Sequence, residues 1–399
     1  MRKQRSPFVV RALLVFICAV GLSAAAAARD QVTTVVVSAL TSSATPAPGT
    51  DGQQHVVYEL VLTNTSATPA TLQTISVVDA ASPSKALATF RGADFMSRLR
   101  TTGSRPVKDA NLDLDSTRLF LIDIAIPAGS AVPSRLLHTI DLMGGSMPGP
   151  NPSTPVSLSY TVAPIAITRE LRVIGPPLKG QRWVAANGCC APGGVHRGTG
   201  LPVNGEIYFA QRFAIDWMQL DDQGRFVKGD AADVHNYTCY GADVLAVADG
   251  TVIQTLNNLE DQKPGTLPDP KTINIDNIDG NHVILDLGGG VYAFYAHMQK
   301  DSVAVHVGDR VTRGQVLGKL GNTGNTSAPH LHFQLMDGPS ALGAQGLPYL
   351  IDSFQFNGQV NQAQWNASST LDGDWSKGLL TAPSPRTKQF PLDLNVVNF

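Results

Sequence analysis

Residues 307–335 read VGDRVTRGQVLGKLGNTGNTSAPHLHFQL. Glycine-punctuated apolar steps lead into the turn-forming run GNTGNTS, and the stretch closes on two histidines one residue apart in an apolar, strand-like segment. In an extended chain side chains alternate between faces, so His330 and His332 point one way while Leu331 and Phe333 point the other. Two imidazoles therefore share one face. An edge strand with two satisfied histidines would show the same local pattern, so the residues that accompany the pair elsewhere in the chain must decide between the two readings.

The surrounding half of the chain, about 181–357, is β-rich. ADVLAVADGTVIQTL (242–256) and NHVILDLGGGVYAFYAHM (281–298) carry Asp-Gly steps and glycine pairs suited to hairpins, and no long amphipathic helix is evident. Two polar insertions, roughly 218–240 and 257–280, read as surface loops of the kind that border binding sites. A zinc hydrolase needs about three nitrogen or oxygen ligands and an open position for water, together with groups that move protons and steady an oxyanion. Candidates for these tasks are Asp216 in QRFAIDW (211–217), His297 in FYAHM (294–298) and the His330/His332 pair. Singly, Asp216 reads as a turn or salt-bridge carboxylate and His297 as a strand-end histidine.

Taken together with their glycines, these segments resemble the lysostaphin/LytM-type zinc metallopeptidases, peptidoglycan endopeptidases of the duplicated-hybrid-motif fold. The resemblance covers about 205–340: AIDW (214–217), GADVLAVADGTV (241–252), YAFYAHM (292–298) and the 307–335 block, which is long and specific. It implies a secreted, zinc-dependent enzyme hydrolysing peptide bonds of peptidoglycan across an antiparallel β-sheet groove. By position it makes Asp216 and His332 zinc ligands and His297 and His330 the catalytic histidines. One position departs from the family. Its first zinc histidine stands four residues before the aspartate, where this chain has Arg212, which offers a metal no lone pair. The best substitute is His196 in GGVHRGTGLP (193–202), on a segment able to fold back over the site; His235, in the first insertion, is the second choice. His282 and His306 read as structural.

The 399 residues are enough for two or three domains. From about 31 to 168, short runs such as HVVYELVLTNTS (55–66), TRLFLIDIAI (117–126) and VSLSYTVAPIAI (156–167) alternate with Ser/Thr/Pro/Gly turns. The spacing suggests an antiparallel, immunoglobulin-like sandwich with no catalytic cluster, since His55 and His138 stand far apart in strand-like runs. The expected fold is therefore all-β: a sandwich over 30–170, a linker over 171–185 around RVIGPPLKG, a LytM-type sheet or barrel-like peptidase domain over 186–357 and an aperiodic tail over 358–399. No internal repeat is evident.

Residues 1–28 combine a basic start, an apolar stretch from Ala12 to Leu22 and a small-residue run ending at Ala28, the pattern of a cleaved secretory signal. That stretch is shorter than the roughly 20 residues a membrane span needs, and no later segment qualifies. Cys18 follows Ile17, which argues against lipoprotein processing. Removing the leader leaves 26 Lys+Arg against 32 Asp+Glu, a net charge of −6 that gives nucleic-acid binding no electrostatic support. Three cysteines remain. Adjacent cysteines bridge each other only with strain, so Cys239 is expected to pair with Cys189 or Cys190; a Cys-rich zinc site lacks the ligand spacing. The implied setting is periplasmic or extracellular in a bacterium, with peptidoglycan peptides as partners, zinc as cofactor and the N-terminal domain as an intramolecular regulator. Two other classes compete: a catalytically silent LytM-type domain that activates an amidase or docks on peptidoglycan, favoured by Arg212, and a purely structural secreted protein, which accounts worst for the His-x-His block.

Overall fold

The strand HVVYELVL runs almost without a polar break because both of its faces are buried. The computed structural model describes residues 30–147, 149 and 151–399, and the expected leader lies outside them. Strand Gln54–Asn64 sits in a five-stranded sheet between Val35–Ala39 and Thr117–Ile126, with Leu99–Thr101 beyond and Ala47–Pro48 also pairing with it. A six-stranded sheet faces it, in the order Ser43–Ala44, Val156–Ile167, Arg135–Gly144, Ala70–Asp79 and Ser82–Arg91, with Asn111–Leu112 against Ala70–Asp79. Val56, Tyr58, Leu60 and Leu62 fill the sandwich core against Ile75, Val77, Ile140 and Leu142. Deep in that core His138 bonds Tyr58 Oη and the Ala163 carbonyl, which gives it a structural role.

The alternate residues turn away from this core yet do not reach water. Val57 joins the apolar core of the C-terminal half, and Leu119 and Leu121 pack against Phe209. Glu59, between them, is completely buried and takes two guanidinium groups: Arg197 Nη1 donates to Oε1 at 2.6 Å, and Arg212 donates through Nε to Oε1 at 2.9 Å and through Nη2 to Oε2 at 2.5 Å. Thr33–Phe399 accordingly forms a single compact unit.

The C-terminal half is built on a twelve-stranded sheet. Its central order is Asn395–Asn398, Trp183–Ala186, Ile215–Gln219, Leu331–Met336, Tyr292–Met298, Asn281–Asp286 and Gly250–Leu256. The all-β expectation holds: among the described residues no helix exceeds the seven residues of Gly92–Arg98, and none is long and apolar enough to cross a membrane.

Four expectations need correction. The 171–185 linker is partly sheet: Arg172–Ile174 pairs in parallel with Tyr349–Gln359, and Trp183–Ala186, fully buried, lies next to the Asp216 strand. Four apolar residues set among glycines and prolines are too few to stand out in a periodicity. The 358–399 tail likewise adds two strands: Leu379–Gln389, whose prolines suit the edge position it takes, and Asn395–Asn398, inserted between Trp183–Ala186 and Tyr349–Gln359. The disulfide joins Cys189 to Cys190, and Cys239 is a buried free thiol. The two locations have different neighbours, Cys190 lying against His55 and Asp123 while Cys239 Sγ meets the Pro329 carbonyl at 3.1 Å. The insertion 218–240 is not wholly surface either, because Phe226, Val227, Tyr237 and Cys239 enter the core.

Burial opposes the charge of Glu59, but Arg212 and then Arg197 outweigh it and hold the carboxyl below its ordinary value. A carboxylate depressed in the folded state contributes stability that is complete above its unfolded pKa, near 4.3, and is lost as pH falls through the folded value. Glu59→Gln should therefore cost about 3 kcal/mol at pH 6, and the gap to the unmodified chain should narrow below about pH 4, as read from thermal melts at the two pH values.

Candidate metal centre

Antiparallel register places Asp216 directly opposite His332, with Ala186 on its other side, and sets His332 opposite Ala296, one residue before His297. Three neighbouring strands thus deliver their chemistry to one patch of the sheet. Asp216 is the focus. Its Oδ1 lies 3.0 Å from His332 Nδ1 and 3.3 Å from His330 Nε2, while Oδ2 lies 3.3 Å from His196 Nε2 and accepts a 2.7 Å hydrogen bond from Asn187 Nδ2. The His297 ring stands 4.7 Å from that of His330 and 6.0 Å from that of His332, centroid to centroid.

Each imidazole is oriented from behind. His196 Nδ1 donates to the Ala214 carbonyl at 3.2 Å, His297 Nδ1 to the Thr323 carbonyl at 2.7 Å and His330 Nδ1 to the Ala328 carbonyl at 2.8 Å. A carbonyl only accepts, so the proton is on Nδ1 and the Nε2 lone pair of each ring is left for the site. His332 is reversed. Gln334 donates its amide N–H to Ala341 O at 3.2 Å, which turns Oε1 toward His332 Nε2 at 2.9 Å; that nitrogen carries the proton and Nδ1 faces Asp216.

His297, the last residue but one of its strand, has a positive φ of 61°, a region sparsely used by residues with a side chain. The bend is held at both sides, by His297 N donating to Asp279 O and Gly321 N donating to His297 O. It also needs Gly280, itself at φ 68°, where a Cβ would lie 2.2 Å from the same Thr323 oxygen that orients His297.

Charge follows this geometry. Burial opposes ionisation of Asp216, but His196 and then His330 outweigh it and hold the carboxyl well below its usual range. Burial likewise opposes the charged forms of His196 and His330, yet Asp216 raises both. Burial, then the proximity of His330 and His332, keeps His297 well below the ordinary histidine value, and burial also lowers His332. His297 is thus a neutral base at neutral pH.

The donor set fits a metal. His196, Asp216 and His332 each offer one ligand atom, and these atoms lie within 4.8 Å of one another. Ligands about 2.0–2.1 Å from a tetrahedral zinc stand about 3.3 Å apart; His332 Nδ1 lies 3.0 Å from one Asp216 oxygen and His196 Nε2 lies 3.3 Å from the other. Arg212 is no part of the cluster, being committed to Glu59, Gly346 O and Gln345 Oε1. His235, the alternative third ligand, is largely exposed and bonded to Asp233. His282 bonds Gly280 O and Gln254, and His306 is on the surface.

Two cavities meet at the cluster. One of about 470 Å³ is lined by His196, Asp216, His297, His330, His332 and Asp279; the other, about 300 Å³, lies between Asp216, His330 and the aromatic residues Trp365 and Trp375 of the former tail. Burial pushes the Asp279 carboxyl up to about 7. Asn187, Gln334, Asp279 and the Trp365/Trp375 wall did not emerge from the sequence. Gln334 alone left a signal, since two residues past His332 it must share that histidine's face.

Comparison with known proteins bears on the same region. Residues 232–343 match Peptidase family M23. The chain is 32% identical over 106 residues to the peptidoglycan DD-endopeptidase ShyA of Vibrio cholerae, covering 26% of this chain and 20% of that protein. It is 48% identical over 58 residues to the glycyl-glycine endopeptidase ALE-1 of Staphylococcus capitis, covering 14% of this chain and 16% of that protein. The chain thus spans a fifth or less of the length of these curated relatives. Among solved structures, the catalytic domain of lysostaphin from Staphylococcus simulans aligns with 37% of this chain and 80% of its own, at 24% identity and a TM-score of 0.22. A zinc containing peptidase from Vibrio cholerae aligns with 76% and 85%, at 14% identity and a TM-score of 0.21.

Removing the acceptor behind a candidate ligand frees its ring. Gln334→Leu should weaken zinc binding by about 10–100-fold with little change in fold, as measured by competition with a chromophoric chelator. With His332 and its orienting partners inside the matched stretch, and Asp216 and His196 reaching it from outside, residues 232–343 form a Peptidase family M23 domain in the C-terminal half of the chain.

Proposed function

We propose that the chain is a secreted, zinc-dependent endopeptidase that hydrolyses peptide bonds of peptidoglycan in the periplasm or outside a bacterial cell. The observation that carries this reading is the convergence of His196 Nε2, the Asp216 carboxylate and His332 Nδ1, each ring with its other nitrogen tied to an acceptor. These three residues would hold zinc, with His196 in the role that Arg212 cannot fill. Zinc in such a site polarises a scissile carbonyl and lowers the pKa of bound water toward neutrality. His297, kept neutral by burial and oriented by Thr323 O, accepts a proton at Nε2. His330, fixed by Ala328 O, presents Nε2 to the same space and stabilises negative charge when protonated, the state Asp216 favours. The two cavities flanking Asp216 and His330 give a peptide room on both sides of the reacting bond.

Peptidoglycan is supported by the relative ShyA, named a peptidoglycan DD-endopeptidase, endopeptidase activity also by ALE-1, named a glycyl-glycine endopeptidase, and secretion by the composition of residues 1–28. The competing reading, a silent M23 domain that docks on the wall or activates an amidase, draws on Arg212 alone. Four oriented imidazoles around one buried carboxylate have no purpose in a binding groove.

Elemental analysis and digestion of purified peptidoglycan test the proposal together. The unaltered chain should purify with about one zinc, and His332→Ala and His196→Ala with far less, their affinity weakened enough for the metal to wash out while remaining measurable by titration. His297→Ala should keep the metal and lose about 10²–10⁴-fold in rate, and a chelator should abolish cleavage reversibly. A chain that takes up no zinc on supplementation overturns the enzyme reading and leaves the binding module.

A further inference from the structure

The loop that carries His196 is fastened to the N-terminal sandwich over its second half, while its start at Asn187–Cys189 is held by Asp216 and Asp393 of the C-terminal half. It leaves strand Trp183–Ala186 at Asn187, in the left-handed region at φ 56°, and rejoins extended structure at Leu201–Val203. Between these points the sandwich grips it three times. Arg100 Nη2 donates to Pro192 O at 2.9 Å. Ser104 Oγ donates to Gly198 O at 2.5 Å and accepts from Gly200 N at 3.0 Å. Arg197, the residue next to His196, is buried in the sandwich's outer face, where it donates to Glu59 Oε1 at 2.6 Å, Tyr58 O at 2.9 Å and Ile122 O at 3.0 Å. On the metal side the His196 ring has one backbone contact, the Ala214 carbonyl.

We infer that the sandwich is a working part of the metal centre: Glu59 is a positioning residue that, through Arg197, holds His196 where it can act as the third ligand. This rests on the reading of His196, Asp216 and His332 as zinc ligands. Arg212 supplies the logic. At the position where the resembling family has its first zinc histidine, this chain has a guanidinium aimed at Glu59, so the residue that vacates the ligand role helps anchor the loop that takes it over. A ligand on a loop must be held to within about 0.5 Å by its supporting contacts, and at the residue next to His196 those contacts come from the other half of the chain. A sandwich that merely targets or inhibits the enzyme would have no need of a fully buried carboxylate bonded to the ligand's neighbour.

A double-mutant cycle on zinc affinity in the full chain separates positioning from general stability. Zinc dissociation constants would be measured by chelator competition for the unaltered chain, Glu59→Gln, His196→Ala and the double variant. Glu59→Gln should weaken zinc binding by about 10–100-fold in the parent and by less than about twofold in the His196→Ala background, since a residue acting through His196 has nothing left to position. Should Glu59→Gln fail to fold, Ser104→Ala takes its place in the same cycle, with an expected loss of about threefold to tenfold that again disappears without His196. Equal losses in both backgrounds would overturn the inference and leave the zinc site standing. No zinc in the unaltered chain would overturn the site reading and this inference with it.

Discussion

Asp216 stands opposite His332 in adjacent antiparallel strands, and the candidate site depends on that register. A shift of one residue in either strand would send the carboxylate or the imidazole to the other face of the sheet. The register is protected by burial on both sides: Ile215, Trp217, Leu331 and Phe333, the alternating neighbours of the pair, are all fully buried in the main core. A slip would thus put charge into the apolar core and turn aromatic side chains into the polar site at once. Around this fixed pair His330, His297 and His196 need only be aimed, and backbone carbonyls do that at little cost because they accept one proton each and leave one ring nitrogen free.

A second constraint joins the two halves. A carboxylate shared by two guanidinium groups is a costly arrangement to bury, and replacing such a triad with apolar residues commonly leaves stability unchanged or improved. Its value lies in direction. Apolar packing by Val57, Leu119, Leu121 and Phe209 holds the sandwich face against the C-terminal half without defining one arrangement in detail, whereas the hydrogen bonds from Arg197 and Arg212 to Glu59 are satisfied in one geometry only. That geometry brings the His196 loop onto Asp216.

Much of the site was legible because strand chemistry is local. The shared face of His330 and His332 follows from a two-residue period, and Asp216, His297 and the intervening glycines kept the spacing of a known family. His196 was legible only as a candidate, by the absence of a histidine at 212. The linker and tail were misread for a common reason: Trp183–Ala186 and Asn395–Asn398 are four-residue strands, too short to show a period, and it is their neighbours in the sheet that make them strands. Glu59 did leave a trace, a lone charge inside HVVYELVL, but a charge in an apolar run can mean a solvent-facing position as readily as a buried pair. The cysteines show the same limit, since adjacency and compartment do not reveal which thiol has another within reach.

The sequence by itself determined the β character of the chain, the glycine turns, and the alternation that puts two imidazoles on one face, because these depend on backbone sterics and on residues within a few positions of one another. Tertiary structure alone decided which third histidine joins Asp216 and His332, what Arg212 does in place of a ligand, and that the sandwich reaches the site. Those outcomes turn on contacts such as Glu59 with Arg197 and Arg212, whose partners are more than a hundred residues apart, and on the desolvation that makes an unpaired charge intolerable once two surfaces close over it.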